Sequence, residues 1–452
     1  MSKTVNLLEG RILPALVRLA VPITATALIQ MAYNLTDMIW IGRLGSNQVA
    51  AVGAAGMYSW LAAGLATMCR MGGQVKTAQS LGAREPSDAA RYAKTALILG
   101  LLAGIIFGGA AGLLHRPLIG FFHLNSPQVI ADAEIYMIIT CGGIVFNYIN
   151  QIMTGLLTAS GNSTAPFLAT TVGLVSNIAL DPLLIFGLGP IPALGVMGAA
   201  IATVFAQLVV MVIMIYFASR DTVLFVFIRW REKLRGQDIL QVVKIGLPTA
   251  VQSMIFSAIS MVVARLIAGW GDAAVAVQKV GSQIESISWM TADGFSASIN
   301  AFIGQNYGAG NKERVRKGFY TSSVIVVIWG IFTTLMLTVF PEPLFRIFIT
   351  EADVIPMGVE YLRILGYSQL FMCLEIATEG AFAGLGKTLP PSIVSILFTS
   401  IRIPMVMLLG SKWGLSGVWW SLTISSILKG VILIVWFIIY LKKKLGTTSF
   451  QN

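Results

Sequence analysis

The sequence predicts an all-α polytopic membrane protein, with twelve transmembrane helices arranged as two six-helix parallel repeats. Three observations carry this: composition, apolar runs of membrane-spanning length along the whole chain, and an internal duplication. Of 452 residues, 56% are hydrophobic and 11% charged, with a mean hydropathy of +0.80, whereas soluble proteins run at about 45–50% and about 25%. That balance excludes a secreted disulfide scaffold, a disordered tail and a nucleic-acid binder.

A hydrocarbon core about 30 Å thick needs roughly 20 apolar residues per helix. Runs of that kind fall near 14–41, 47–75, 92–114, 128–158, 165–187, 193–218, 240–268, 272–303, 317–340, 353–385, 389–410 and 416–441. The first, from Ile12 to Ile41, carries Arg18 and Asp37 and is far longer than the core of a cleavable signal, so it reads as a membrane helix. The longest polar interruption, Ser219 to Asp238, contains Arg220, Arg229, Arg231, Lys233 and Arg235. It reads as a cytoplasmic linker over 219–238 between an N-lobe of helices 1–6 (residues 1–218) and a C-lobe of helices 7–12 (residues 239–452).

The other loops agree with this orientation. Lys76, Arg84, Arg91 and Lys94 follow the second run, Lys312, Arg314, Arg316 and Lys317 follow the eighth, and Lys442, Lys443 and Lys444 close the chain. Loops on the opposite side offer mainly Arg43, Arg116, Arg346 and Lys412. The formal charge of +11 therefore marks cytoplasmic loops rather than an acidic partner. With an even number of spans, both termini are expected on the cytoplasmic side.

The duplication is the most informative feature. A shift of 226 residues puts Pro22 on Pro248, Gly45 on Gly271, Gln79-x-x-Gly82-Ala83 on Gln305-x-x-Gly308-Ala309 and Pro117-Leu118 on Pro343-Leu344. At a shift of 225, Tyr136 meets Tyr361, Gly155 meets Gly380, Gly161 meets Gly386 and Pro166 meets Pro391; at 219, Gly195-Val196-Met197-Gly198 meets Gly414-Leu415-Ser416-Gly417. Six helices per repeat make both halves enter the membrane in the same direction. Two such lobes facing one cleft is a transporter architecture.

A charged side chain at mid-membrane costs at least ~2.5–3.5 kcal/mol, so intramembrane acids mark function first. They are Asp37, Asp181, Glu285, Asp293, Glu375 and Glu379; Asp293, close to a helix end, also reads as an acid reaching the interface. Asp37 closes Tyr33-Asn34-Leu35-Thr36-Asp37, and Asn177 and Asp181, four apart, share a helix face. Carboxylate and amide oxygens with the Thr203 hydroxyl suit a hard monovalent cation such as Na⁺, and they suit a proton equally. Asn147, Asn150 and Gln151 share one face of the fourth span, as substrate contacts or as interhelix hydrogen-bonding groups.

The repeats also disagree in an informative way. Asp37 maps onto Val263 and Asp181 onto Val406, while Glu285 maps onto Ser59, Glu375 onto Asn150, Glu379 onto Thr154 and Arg402 onto Asn177. Each lobe thus keeps acids of its own. The N-lobe is expected to hold the coupling cation and the C-lobe acids, chiefly Glu285, to attract cationic substrate. Arg402 is expected to pair with Glu375 or Glu379, because an unpaired guanidinium at that depth is costly. Pro22 and Pro248, each in the first half of its helix, are expected hinges.

Enzyme chemistry has little to stand on. Cys69, Cys141 and Cys373 lie in apolar runs, the two histidines, His115 and His123, flank one loop, and no HExxH, GxSxG or Walker loop occurs. Neither a structural metal nor an organic cofactor is expected.

The pattern from Pro22 to Asp37 followed by Gly42-Arg43-Leu44-Gly45, the Asn177/Asp181 pair, the Gly-Ala-Ala-Ile-Ala-Thr run ending at Thr203 and Gln305-Asn306-Tyr307-Gly308-Ala309-Gly310 resemble the multidrug and toxic compound extrusion (MATE) family over essentially the whole chain. The resemblance implies a V-shaped two-lobe bundle in the bacterial cytoplasmic membrane. It implies a monomeric antiporter in contact with membrane lipid, exporting bulky, often cationic amphipathic drugs in exchange for Na⁺ or H⁺. Carried over, Asp37, Asn177, Asp181 and Thr203 form the N-lobe cation site, Glu285 is the acid facing the cleft, and Glu375 or Glu379 is the acid of the tenth span; Tyr33 and Asn150 are candidate substrate contacts. A lipid-linked precursor flippase of the same superfamily is the alternative, for which Lys279, Arg402 and Lys429 are few and scattered.

Overall fold

The computed structural model describes residues 4–122, 126–187, 192–349 and 351–445, so that His123 lies outside the described residues. Within them the chain is helical without strands. In chain order the helices are α1 (Ile12–Gly42), α2 (Ser46–Gly82), α3 (Pro86–Leu113), α4 (His115–Gly120), α5 (Pro127–Gly142), α6 (Ile144–Ala159), α7 (Thr164–Ile185), α8 (Val196–Ser219), α9 (Gly236–Ala268), α10 (Asp272–Gly308), α11 (Lys312–Val339), α12 (Pro341–Arg346), α13 (Ile355–Gly366), α14 (Gln369–Gly384), α15 (Leu389–Ser400) and α16 (Arg402–Tyr440).

Each expected span coincides with helix, and the structure adds where the axes break. The fourth span is α5 and α6, bent by 44° at Gly143. The tenth is α13 and α14, and the eleventh begins as α15 and continues into α16. Inside α16, Gly414 (φ 61°, ψ −141°) turns the chain between the eleventh and twelfth spans. Its repeat mate Gly195 (φ 56°, ψ −130°) opens α8. Only glycine enters that region without strain, so the duplication extends to the backbone. Among the described residues, eight helices are long and apolar enough to cross a membrane, nine with the bent α5–α6 pair counted as one span. The stretch Leu389–Lys444, counted once, has 56 residues, which is long enough to cross twice.

The chain divides into two compact units whose boundaries differ from the expected 219–238 linker. Unit 1 comprises Met1–Val5 and Ala25–Ala250, and unit 2 comprises Asn6–Thr24 and Val251–Asn452. The first half of α1 thus belongs with the second repeat and the first half of α9 with the first. Close backbone approaches explain the exchange. In unit 1, Gly72 of α2 lies against the Val242 backbone and Gly246 of α9 against the Met68 carbonyl, with no room for a Cβ at either. In unit 2, Ser298 of α10 donates to the Leu16 carbonyl at 3.0 Å, and Gly294 lies against Thr24. Leu16/Ser298 and Val242/Gly72 are the same pair of positions in the two repeats.

This contact makes a direct prediction. Gly246→Leu should destabilise by about 1–3 kcal/mol, the usual cost of forcing volume into a packed crossing. The thermal midpoint of the purified protein should fall, whereas Gly236→Leu, at a position with open space around it, should leave it nearly unchanged.

Candidate functional site

In unit 1 the expected residues come together. Tyr33 and Asp37, one turn apart on α1, share a face, as do Asn177 and Asp181 on α7. The α8 helix is seated against α7 through Gly198, which packs on the Leu184 carbonyl so tightly that a Cβ would not fit. That approach brings Thr203 of α8 beside Tyr33, with Asp37 and Asp181 within electrostatic reach of the Tyr33 hydroxyl and of each other. Asn177 and Asp181 are fully buried, and the Asn177 amide donates to Asp181 Oδ1 at 3.1 Å.

What distinguishes the cluster is that its carboxylate and amide oxygens outnumber its donors, the Asn177 amide and the Tyr33 and Thr203 hydroxyls. Tyr33 Oη, Asp37 Oδ1, Asn177 Oδ1, Asp181 Oδ2 and Thr203 Oγ1 are all buried without a hydrogen-bond partner. A buried, unpaired polar oxygen costs roughly 1–3 kcal/mol. A hard cation or a proton taken up by such neighbouring oxygens satisfies more than one of them at once. The donor set fits a monovalent cation, with two carboxylates, one amide oxygen and hydroxyls. No group of three or more His, Cys, Asp or Glu side chains among the described residues fits a transition or divalent metal.

Tyr136, on α5, was not expected. It is 7% exposed, with Asp37, Asp181 and Thr203 as neighbours. Sequence showed it only as the repeat mate of Tyr361, and that pairing was the available signal, because Tyr361 stands beside Glu285 in unit 2. The Tyr361 ring packs edge-on to Trp419 at 5.2 Å and covers Gly281. Gln278 ties the group, donating to Tyr361 Oη at 3.4 Å and accepting from Trp419 Nε1 at 3.1 Å. Glu285 Oε1 is left buried and unpaired.

One expectation changes. Among the described residues Arg402 forms no carboxylate pair; it donates to Ser425 at 2.7 Å and Ser426 at 2.9 Å and lies 5.9 Å from the Phe256 ring. Glu375 pairs with Lys429 at 2.7 Å. The break of α16 at Gly414 accounts for both, since the part beyond it brings Lys429 to the α14 carboxylate and Ser425 and Ser426 to Arg402, which stays within electrostatic reach of Glu375 and Glu285. Asn150 gives its amide to the Gln207 carbonyl on α8 at 2.8 Å, joining two helices of unit 1.

Long apolar helices in two equivalent repeats, with buried charged groups among them, define a polytopic membrane protein of transporter architecture. The model of the MatE family matches residues 22–183 and 248–408, so its two copies begin at the two repeated prolines. The chain belongs to this family of transporters, the MATE family. It is 28% identical to a probable multidrug resistance protein NorM of Thermotoga maritima, over 94% of this chain and 91% of that one. It is 24% identical to an FAD transporter of Shewanella oneidensis, over 94% of both chains. Its fold matches an outward-facing multidrug resistance MATE family transporter of the MOP superfamily with a TM-score of 0.91 at 24% identity, covering 99% of this chain and 100% of that one.

Proposed function

We propose that the protein is a cation-coupled multidrug efflux antiporter of the bacterial cytoplasmic membrane, with both termini cytoplasmic, exchanging amphipathic, often cationic compounds for H⁺ or Na⁺ by alternating access. The observation that carries this reading is the set of unpaired oxygens at Tyr33, Asp37, Asn177, Asp181 and Thr203. Such a cluster binds a cation in one conformation and leaves its oxygens costly in another, which biases a two-state protein in the way coupling requires. Similarity to multidrug resistance proteins supports the drug class. Proteoliposomes loaded with a fluorescent cationic drug, with ΔpH and ΔNa⁺ imposed separately, test it. One gradient should drive drug movement, and no response to either would overturn the reading.

The hinge belongs to the same proposal. Both unit boundaries, at Ala25 and Val251, fall just after Pro22 and Pro248. A proline inside a helix leaves a carbonyl unbonded and lets the axis bend. Pro22→Ala and Pro248→Ala should slow turnover roughly 3–10-fold while changing drug affinity less than about 2-fold, the signature of a conformational step. Equal losses in binding and turnover would remove the hinge.

A further inference from the structure

Unit 2 holds a second cluster that the antiport reading does not use. On α14, Glu375 and Glu379 stand one helical turn apart, and the Ser395 hydroxyl of α15 lies between them, 2.7 Å from Glu379 Oε1 and 3.2 Å from Glu375 Oε1. Gln252 of α9 donates to Glu379 Oε1 at 2.8 Å, and Ser392 donates to Gln252 Oε1 at 2.9 Å, fixing which end of the amide faces the carboxylate. Lys429 of α16 reaches in from the other side, its Nζ 2.7 Å from Glu375 Oε1. The Glu375 and Lys429 side chains are 6% and 7% exposed. Glu375 Oε2 is buried with no partner. Three helices, α9, α14 and α15, thus assemble two carboxylates and oriented polar groups, and α16 brings one ammonium into contact with Glu375 and within electrostatic reach of Glu379.

We infer that Glu375 and Glu379 form a monovalent-cation site whose occupant is the chain's own Lys429 ammonium, so that unit 2 carries its counter-ion covalently and takes none from solution. An ammonium supplies one positive charge at a hydrogen-bonding distance close to that of a potassium-sized ion. Carried on a side chain, it fills the site without the entropy loss of capturing a free ion. Ion exchange is then confined to unit 1, where Asp37 and Asp181 form no ion pair among the described residues. The sequence carried the sign as a lysine within an apolar run at 416–441, because a buried Lys is retained where an acid pairs with it.

Removing the tether should open the site. Lys429→Ala leaves a space shaped like propylammonium, and its thermal midpoint in detergent should fall by roughly 5–10 °C, since it strands a buried carboxylate. Propylammonium chloride should restore at least half of that loss with saturable dependence, while choline chloride at equal ionic strength, too bulky to enter, should not. Wild type should show no propylammonium response. The double variant Glu375→Gln/Lys429→Met should keep a midpoint within a few degrees of wild type and ignore propylammonium. If Lys429→Ala cannot be purified while the double variant can, the pairing of charge with site is supported; failure of both overturns it. An unshifted Lys429→Ala, or equal propylammonium responses in all three proteins, also overturns it. These readings are of binding, so they stand apart from any test of export.

Discussion

Asp37→Asn should leave membrane insertion and thermal stability intact and reduce drug-driven cation flux to the level of protein-free liposomes, a loss of at least ~100-fold. The two side chains have the same shape, and the substitution takes a charge out of a low-dielectric interior, so folding has nothing to lose. In the proposed function, coupling then loses its central group. Asp37 Oδ1 is buried without a donor, one turn from Tyr33 and within electrostatic reach of Asp181. An amide there neither carries the charge that draws a cation nor takes up a proton. Asp181→Asn should act in the same direction but more weakly, roughly tenfold, because the Asn177 amide already donates to that carboxyl. Flux in proteoliposomes beside a thermal melt of each variant checks both halves, and a variant that melts normally and transports normally would refute the assignment.

Glu285→Gln should weaken binding of cationic drugs roughly 10–30-fold while changing neutral drugs less than about 2-fold. Lys429 already neutralises Glu375, and Gln252 and Ser395 hold Glu379. Glu285 is the unit 2 acid that has a buried, unpaired oxygen and no ion pair among the described residues. A unit charge at about 5 Å is worth ~3 kcal/mol at an effective dielectric near 20, and partial solvation reduces that to the ~1–2 kcal/mol that the expected change requires. Affinities for matched cationic and neutral compounds, measured on wild type and variant, separate electrostatic attraction from general damage. Equal losses for both would show that Glu285 shapes the pocket without attracting charge.

Much of this was legible from residue order, because hydropathy and repetition report on helices and their number. The twelve runs fall on helices, and Gly195 and Gly414 share a backbone conformation as their repeat alignment requires. Hydropathy does not report axis direction or polar ends. The bend at Gly143 lies inside one continuous apolar run, and α2, α3, α10 and α11 extend past the expected limits through Lys76–Gly82, Pro86–Arg91, Gly304–Gly308 and Lys312–Arg316, where polar turns leave the hydrocarbon. The exchange of the first halves of α1 and α9 between units depends on Gly72, Gly246 and Gly294, whose packing partners are far away in sequence. In the site, Asp37, Asn177, Asp181 and Thr203 were legible from charge cost and spacing, and Tyr136 was visible only through its mate. Charge alone does not point to the partners of Arg402, because Ser425 and Ser426 meet it from beyond the Gly414 turn of α16.

In the proposed function, the oxygen cluster of unit 1 holds the ion that substrate displaces. Adding a saturating cationic drug to purified protein in weakly buffered detergent solution, and following H⁺ with a pH dye and Na⁺ with a selective electrode, reads that exchange directly. Wild type should release about one ion per protein, and Asp37→Asn should release none while still binding the drug. Equal release from the two proteins would contradict the account, as would drug binding to wild type with no release of either ion.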